Sequence, residues 1–458
     1  ACYAALGKFD LAIKSYNTSI ELNPEYAKAH YNLAGSLYEV NNLDGAIDSY
    51  QKSIIIDPSN AQAHNNLGNV FKEIGQNDNA FKSFRKALDI NPDYIEANYS
   101  IGALHQDLGQ LESAVHSFKK VLLIKPNLAS LHNNLGNILR ELGNIEGAID
   151  SYEAALSVNS DFAQCLYNIG AAYQEKEQLD TAIKFYKKAI KIDPNYADAF
   201  NNIGVASIEL GDIDNAIKYY EKSIALKPNY AEAHNNLGIA FKELGRLDKS
   251  IQHHTMATDI KSNYHEAHNN LGIVYLELED YNQAIISYQN AITSRPNFAE
   301  AHNNLGAALK ELNDFKGAIQ SYKAALKIKP NYAEAHNNLG IVYMDLGQSK
   351  DAIKCFKRAI EIKPNYAYSY NNLGVIYNDI FHLNDSAECF DRAISINPNY
   401  TEAYLNQGNL MTDLHRLNDA LASYESAKKI NPKSDYIIGN ILHIKMHLCL
   451  WDGFSEQL

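Results

Sequence analysis

The sequence predicts an all-α solenoid of tandem helix–turn–helix units, and three observations predict it. Eleven prolines, from Pro24 to Pro432, all stand on one 34-residue ruler, whose two other marks are Ser160 and Ser262. A glycine recurs on the same ruler from Gly68 to Gly408, with alanine or serine twelve residues after each. Apolar residues between these marks follow helical spacing, and no alternating strand pattern appears. Proline has no N–H to donate and its ring clashes with the carbonyl four residues back, so one proline per 34 residues reads as one helix stop per structural unit.

With proline placed at position 32, full repeats begin at residues 27, 61, 95, 129, 163, 197, 231, 265, 299, 333, 367 and 401. The expected organisation is a partial repeat at 1–26, twelve tandem repeats over 27–434, and a divergent segment at 435–458 leading toward a missing domain. The N-terminus lacks methionine and begins inside a repeat, which suggests a fragment of a longer chain.

Each repeat predicts two helices. Apolar positions 7, 10 and 11 define the first; positions 17, 20, 21, 24, 27 and 28 define the second. They break near position 15, where Gly75, Gly109, Gly143, Gly211 and Gly245 sit. Position 8 is glycine in eleven of the twelve repeats, with Ala34 the exception. Glycine inside a helix costs about 0.5–1 kcal/mol relative to alanine, so its recurrence implies a packing reason. Small residues at positions 8 and 20 let the two backbones approach, and the aromatic at position 24 (Tyr50, Phe84, Tyr152, Phe356) fills the space beside them.

A 34-residue helix–turn–helix with an L-G…A…F/Y…P signature resembles the tetratricopeptide repeat over essentially the whole chain. The resemblance implies a right-handed superhelix whose first helices line a concave groove, with the second helices outside.

Asparagine marks the expected groove. Position 6 is Asn32, Asn66, Asn134, Asn168, Asn202, Asn236, Asn270, Asn304, Asn338, Asn372 and Asn406, and Ser100 alone breaks the series. Asparagine is a mediocre helix former, while its amide offers both an acceptor and donors. A regular row of such amides suits the backbone of an extended peptide. The alternatives are a hydrogen bond between neighbouring repeats, or duplication of repeats with their sequence. Position 5, often asparagine too, carries the same reading less strongly. A carboxylate clamp of the chaperone-binding kind is not expected: Lys28, Asn32 and Asn66 match it, but Glu96 and Ser100 stand where cations are needed.

Seven histidines share position 4 (His30, His64, His132, His234, His268, His302, His336), where Phe200, Tyr370 and Tyr404 also occur, so the site reads as packing for a ring. His253, His254, His265 and His268 lack the HExxH spacing of a zinc site. No metal, cofactor or catalytic residue is expected, and this chain as given reads as a binding module, not an enzyme. Ser250, His254 and Ser262 depart together from the pattern of repeat 231–264, which predicts a softer joint there.

The segment after Pro432 is more apolar than any other and suggests a helix that docks against something downstream. An asparagine-rich array ending in Cys449, Leu450, Trp451 and Phe454 resembles the N-terminal half of the protein O-linked N-acetylglucosamine transferases and their bacterial and plant relatives. Leu450 stands where that family usually has aspartate. The resemblance implies that the position 6 asparagines hold substrate backbone for a glycosyltransferase domain downstream. A generic assembly scaffold is the alternative.

Composition bounds the partners. A formal charge of −13 argues against nucleic acid, which is gripped by clustered Lys and Arg. There is no run of 18 apolar residues for a membrane span. Five scattered cysteines without CxxC spacing suit a cytoplasmic or nuclear compartment. Proteins presenting extended or disordered segments are the expected partners.

Overall fold

The computed structural model describes residues 2–450. Among the described residues there are 27 α-helices and no strand. The chain divides into two compact units, Ala1–Leu226 and Lys227–Leu458. Within each unit a first helix of 13 residues, such as Ala299–Glu311, alternates with a second of 14, such as Phe315–Ile328. Inside each unit a first helix packs on the second helix of its own repeat, and that helix packs on the next first helix. This is the expected tandem helix–turn–helix solenoid.

The break between paired helices has one backbone cause. Position 15 is left-handed in every repeat, with φ of 76° at Gly75 and 68° at Gly347. The residue after it donates its N–H to the carbonyl at position 11, as Gln76 does to Phe71 at 2.8 Å, closing the helix end with a Schellman motif. Where glycine is absent the conformation persists: Asn41, Glu177, Glu279, Asn313, Phe381, His415 and Cys449 all have φ between 56° and 61°. Side chains there are strained by their Cβ.

Packing inside each pair rests on the glycine at position 8. The aromatic at position 24 lies flat against its backbone, so that a Cβ on Gly272 would stand 2.5 Å from the Tyr288 ring and one on Gly374 would stand 2.7 Å from Phe390. These rings are fully buried. The two serines at position 20 keep the close approach: Ser250 and Ser386 each donate to the carbonyl of the facing glycine, Gly238 and Gly374, at 2.8 Å. Ser53 and Ser223, replacing alanine at position 27, likewise donate to Ala27 and Ala197. In these four repeats the hydroxyl enters the small-residue position with a backbone acceptor ready for it.

The thirteenth first helix, Asp435–His447, spends Ile437, Ile441 and Ile444 on the preceding repeat, where they join Leu410, Met411 and Tyr424. Tyr436, Met446 and Leu450 stay exposed. Trp451 and Phe454 lie outside the described residues.

Opposite signs are expected for two glycine exchanges. Gly374→Ala drives a Cβ into Phe390 and should destabilise its unit by about 1–3 kcal/mol, the usual cost of overpacking. Phe381→Gly relieves an 85 % exposed ring from a left-handed backbone and should stabilise by about 1 kcal/mol. Urea unfolding of the two variants, followed by circular dichroism, measures both.

Candidate peptide-binding surface

The asparagines at position 6 all fall on first helices, and all are half-buried except Asn168, which is buried. Their neighbours at position 5 are buried (Asn65, Asn133, Asn201, Asn235, Asn269, Asn303, Asn337 and Asn371). The two positions bond across repeats. In the second unit Asn270, Asn304, Asn338, Asn372 and Asn406 each donate Nδ2 to the Oδ1 of the position 5 asparagine one repeat earlier, at 2.9–3.2 Å. The spacing is always 35 residues, so successive first helices are stitched by one repeating amide pair. Asn236 opens this row on the helix Ala231–Glu243.

The first unit makes the same stitch with mixed chemistry. Asn66 and Asn202 donate to the hydroxyls of Tyr31 and Tyr167, which hold position 5 there, at 3.0 Å. Asn168 donates to Asn133 and Asn137. Asn134 reaches Gln106 instead, because position 5 of that repeat is Tyr99, turned outward and 48 % exposed. Ser100 donates to Asn69, and Asn32 sits on the first full helix of the unit.

One of the two expected roles for position 6 is therefore present in the structure: its nitrogen braces neighbouring repeats. The oxygen is a separate matter. Asn270, Asn338, Asn372 and Asn406 have no protein donor to Oδ1 among the described residues, and each is partly open to solvent. Because Nδ2 is committed backward, every one of these amides has a fixed orientation. The surface they form presents acceptors in a repeating order.

Sequence reasoning missed what the histidines do. At position 4, Nε2 of His30, His132, His234, His302 and His336 lies 2.9–3.1 Å from the carbonyl of the proline six residues earlier. His64 reaches Pro58 at 3.3 Å, and His268 makes the same bond to Ser262, where proline is absent. In the one asparagine case, Asn98 substitutes its amide and donates to Pro92. The carbonyl of position 32 thus fastens the loop between repeats to the next helix. The constant six-residue offset from the proline ruler was the available signal.

Repeat 231–264 keeps these contacts through all three of its departures, with Ser250 bonded to Gly238 and Ser262 to His268. Its distinguishing feature is a buried histidine cluster. His254 replaces the position 24 ring; its Nδ1 donates to Asn235 Oδ1 at 3.1 Å, the same oxygen that accepts from Asn270, while its Nε2 is buried with no partner. His234 and His253 meet Nδ1 to Nδ1 at 3.1 Å. Burial first pushes His253 and His254 down to about 4; the charge of His234 and then Lys249 adds to it at His253, and that of His253 and then Lys242 at His254.

No group of three or more metal-ligating side chains occurs among the described residues. Burial pushes the thiols of Cys165 and Cys389 up to about 12 and that of Cys355 up to about 11, so none of the three is a thiolate near neutrality. No helix among the described residues is long and apolar enough to cross a membrane.

Paired helices, a glycine under a ring, a left-handed turn and a loop proline together define a helical-hairpin repeat protein. The chain belongs to the tetratricopeptide repeat family: a model described as TPR repeat matches residues 2–40, 35–75, 68–109, 136–176, 206–245, 274–313 and 308–347. Models described as tetratricopeptide repeat match 95–128, 163–196, 185–218, 333–366 and 355–389. Among solved structures, MamA is 28% identical, with 35% of this chain and 95% of that one covered and a TM-score of 0.34. YrrB, described as a TPR protein with an unusual peptide-binding site, is 25% identical over 41% of this chain and 97% of its own, at a TM-score of 0.35. The APC/C hetero-tetramer Cut9–Hcn1 is 11% identical, covering 96% of this chain and 94% of that chain at 0.47. No curated protein matches the chain.

Acid should act most strongly on repeat 231–264, where two buried histidines stand together. The fold favours neutral His253 and His254, while the unfolded chain titrates near 6.5, so between about 6.5 and about 4 the unfolded state binds more protons. Stability is then full above pH 7 and falls on acidification, by up to about 1.4 kcal/mol per pH unit for the fully buried His254. Hydrogen exchange should show residues 245–265 as protected as their neighbours at pH 7 and more labile at pH 4.5. His253→Phe combined with His254→Tyr should abolish the difference; equal protection at both pH values in the parent chain contradicts this account.

Proposed function

We propose that the position 6 row binds extended protein segments through their backbone, and that the chain is the recognition part of a glycosyltransferase resembling the protein O-linked N-acetylglucosamine transferases. Being a tetratricopeptide repeat protein, it acts as a scaffold for protein–protein interaction. The observation that carries the finer reading is a division of labour within four of these amides. In Asn270, Asn338, Asn372 and Asn406, Nδ2 braces the array and Oδ1 remains open as an acceptor for a peptide N–H. Such contacts ignore side-chain identity, which suits a protein that meets many substrates. The glycosyltransferase link is supported by this row together with Cys449, Leu450, Trp451 and Phe454, of which the last two lie outside the described residues. Exposed Tyr436, Met446 and Leu450 add an apolar surface beside that segment.

The competing reading is a general assembly scaffold with no glycosyltransferase connection. The brace favours it, because stitching repeats together is a sufficient structural reason for asparagine at position 6.

Two substitutions separate bracing from binding. Asn338→Ala with Asn372→Ala removes two open acceptors and should weaken an extended, unstructured peptide by roughly tenfold, at about 0.5–1.5 kcal/mol per hydrogen bond. Asn269→Ala, which removes the buried acceptor for Asn304, whose own oxygen is already taken by Asn303, should lower stability and leave peptide affinity within about twofold. Fluorescence anisotropy reads both, and equal affinity in all variants rejects the asparagine mechanism. Sequence beyond Leu458 encoding a two-lobed α/β domain is the outcome the transferase link requires; any other continuation removes it.

A further inference from the structure

The repeats of the second unit serve as internal comparisons for one another, and they share a cation seat. In repeat 231, Lys261 at position 31 lies 4.7 Å from the centroid of Tyr264 at position 34, and 3.5 Å from Glu232 at position 2. The arrangement repeats with Lys329, which sits 4.6 Å from the Tyr332 ring and 3.6 Å from Glu300. Lys363 sits 4.9 Å from Tyr366 and 3.2 Å from Glu334. Each time an ammonium group rests between an aromatic face and a carboxylate.

Repeat 367 keeps the aromatic seat and loses the cation. Position 31 is Asn397, position 34 is still Tyr400, and position 2 has become Tyr368. Tyr368 packs edge-on against Tyr400 at 5.0 Å and Tyr366 at 5.9 Å, yet remains 52 % exposed. The next carboxylate in the position 2 row, Glu402, lies close enough to raise the Tyr400 hydroxyl, and among the described residues it has no ion-pair partner. Its own position 31 is Asn431, again not a cation. Here the exposed ring of Tyr368, resting on the buried Tyr400, and a carboxylate without an ion-pair partner stand where the fold elsewhere supplies lysine.

Resting on the proposed reading of the asparagine row, we propose that Tyr368, with Tyr400 and Glu402, is a seat for the guanidinium or ammonium group of an arginine or lysine in the bound segment. Position 2 precedes position 6 by one helical turn, so Tyr368 shares a helix face with Asn372. A segment held by the acceptor of Asn372 would set one basic side chain on the ring. The asparagines supply affinity without regard to sequence, and this seat adds a preference at one register.

The test uses the full chain and two synthetic extended peptides identical except for one arginine replaced by norleucine. The arginine peptide should bind about two- to fivefold tighter, the span of an exposed cation–π contact. Tyr368→Leu should erase that ratio, whereas Asn372→Ala should weaken both peptides and preserve it. A ratio unchanged by Tyr368→Leu overturns the proposal. A second measurement is independent of peptide capture: 19F spectra of the fluorotyrosine-labelled chain, with Tyr368 assigned through Tyr368→Phe, titrated with guanidinium chloride against sodium chloride. Tyr368 should shift while Tyr332, already covered by Lys329, should not; equal shifts, or none at Tyr368, also overturn it. If neither peptide binds, the asparagine reading fails by itself, and the 19F titration still decides the seat.

Discussion

The structure depends on one steric fact repeated along the chain: a ring from the second helix lies on bare backbone of the first. Glycine at position 8 permits that contact, and the alanine or serine at position 20 keeps the helices close enough to use it. Interiors are packed densely, so a ring this close leaves no room for even one methyl group. Everything on the surface follows from the helix orientation this fixes. Positions 2 and 6 lie on one stripe because the first helix cannot rotate about its axis without lifting off the ring.

Most of this was legible in the sequence, because it is local and periodic. Proline stops, glycine–aromatic pairing and helix length are all written within one repeat. What was not legible involves geometry between repeats. The asparagine bond joins residues 35 apart, one more than the period, so an alignment of repeats in register places donor and acceptor in different columns. The pairing of His302 with Pro296 similarly crosses the boundary at which the repeats were divided. A reading that treats the repeat as the unit hides bonds that belong to the joint.

The departures are as informative as the rule. Ser250 and Ser386 look like lapses in sequence and prove to be satisfied hydroxyls. His254 looks like another and is different in kind, since its second nitrogen is buried without a partner. An unpaired polar atom in a packed site has an energetic cost, and burial of this ring lowers its hold on a second proton. Tyr368 belongs to the same category, as a substitution whose meaning appears only beside the lysine seats of other repeats.

The joints between repeats also have a direction in time. In the stitched pairs of the second unit, the asparagine donor belongs to the later repeat and the acceptor to the earlier one; where a histidine fastens a loop proline it is likewise made after it. A hairpin leaving the ribosome therefore carries open acceptors and no means to close them. Closure waits for the next 34 residues, roughly 2–7 seconds at ordinary rates of synthesis. During that interval the newest hairpin is held to its predecessor but not yet by its successor, and each arriving repeat completes the one before it.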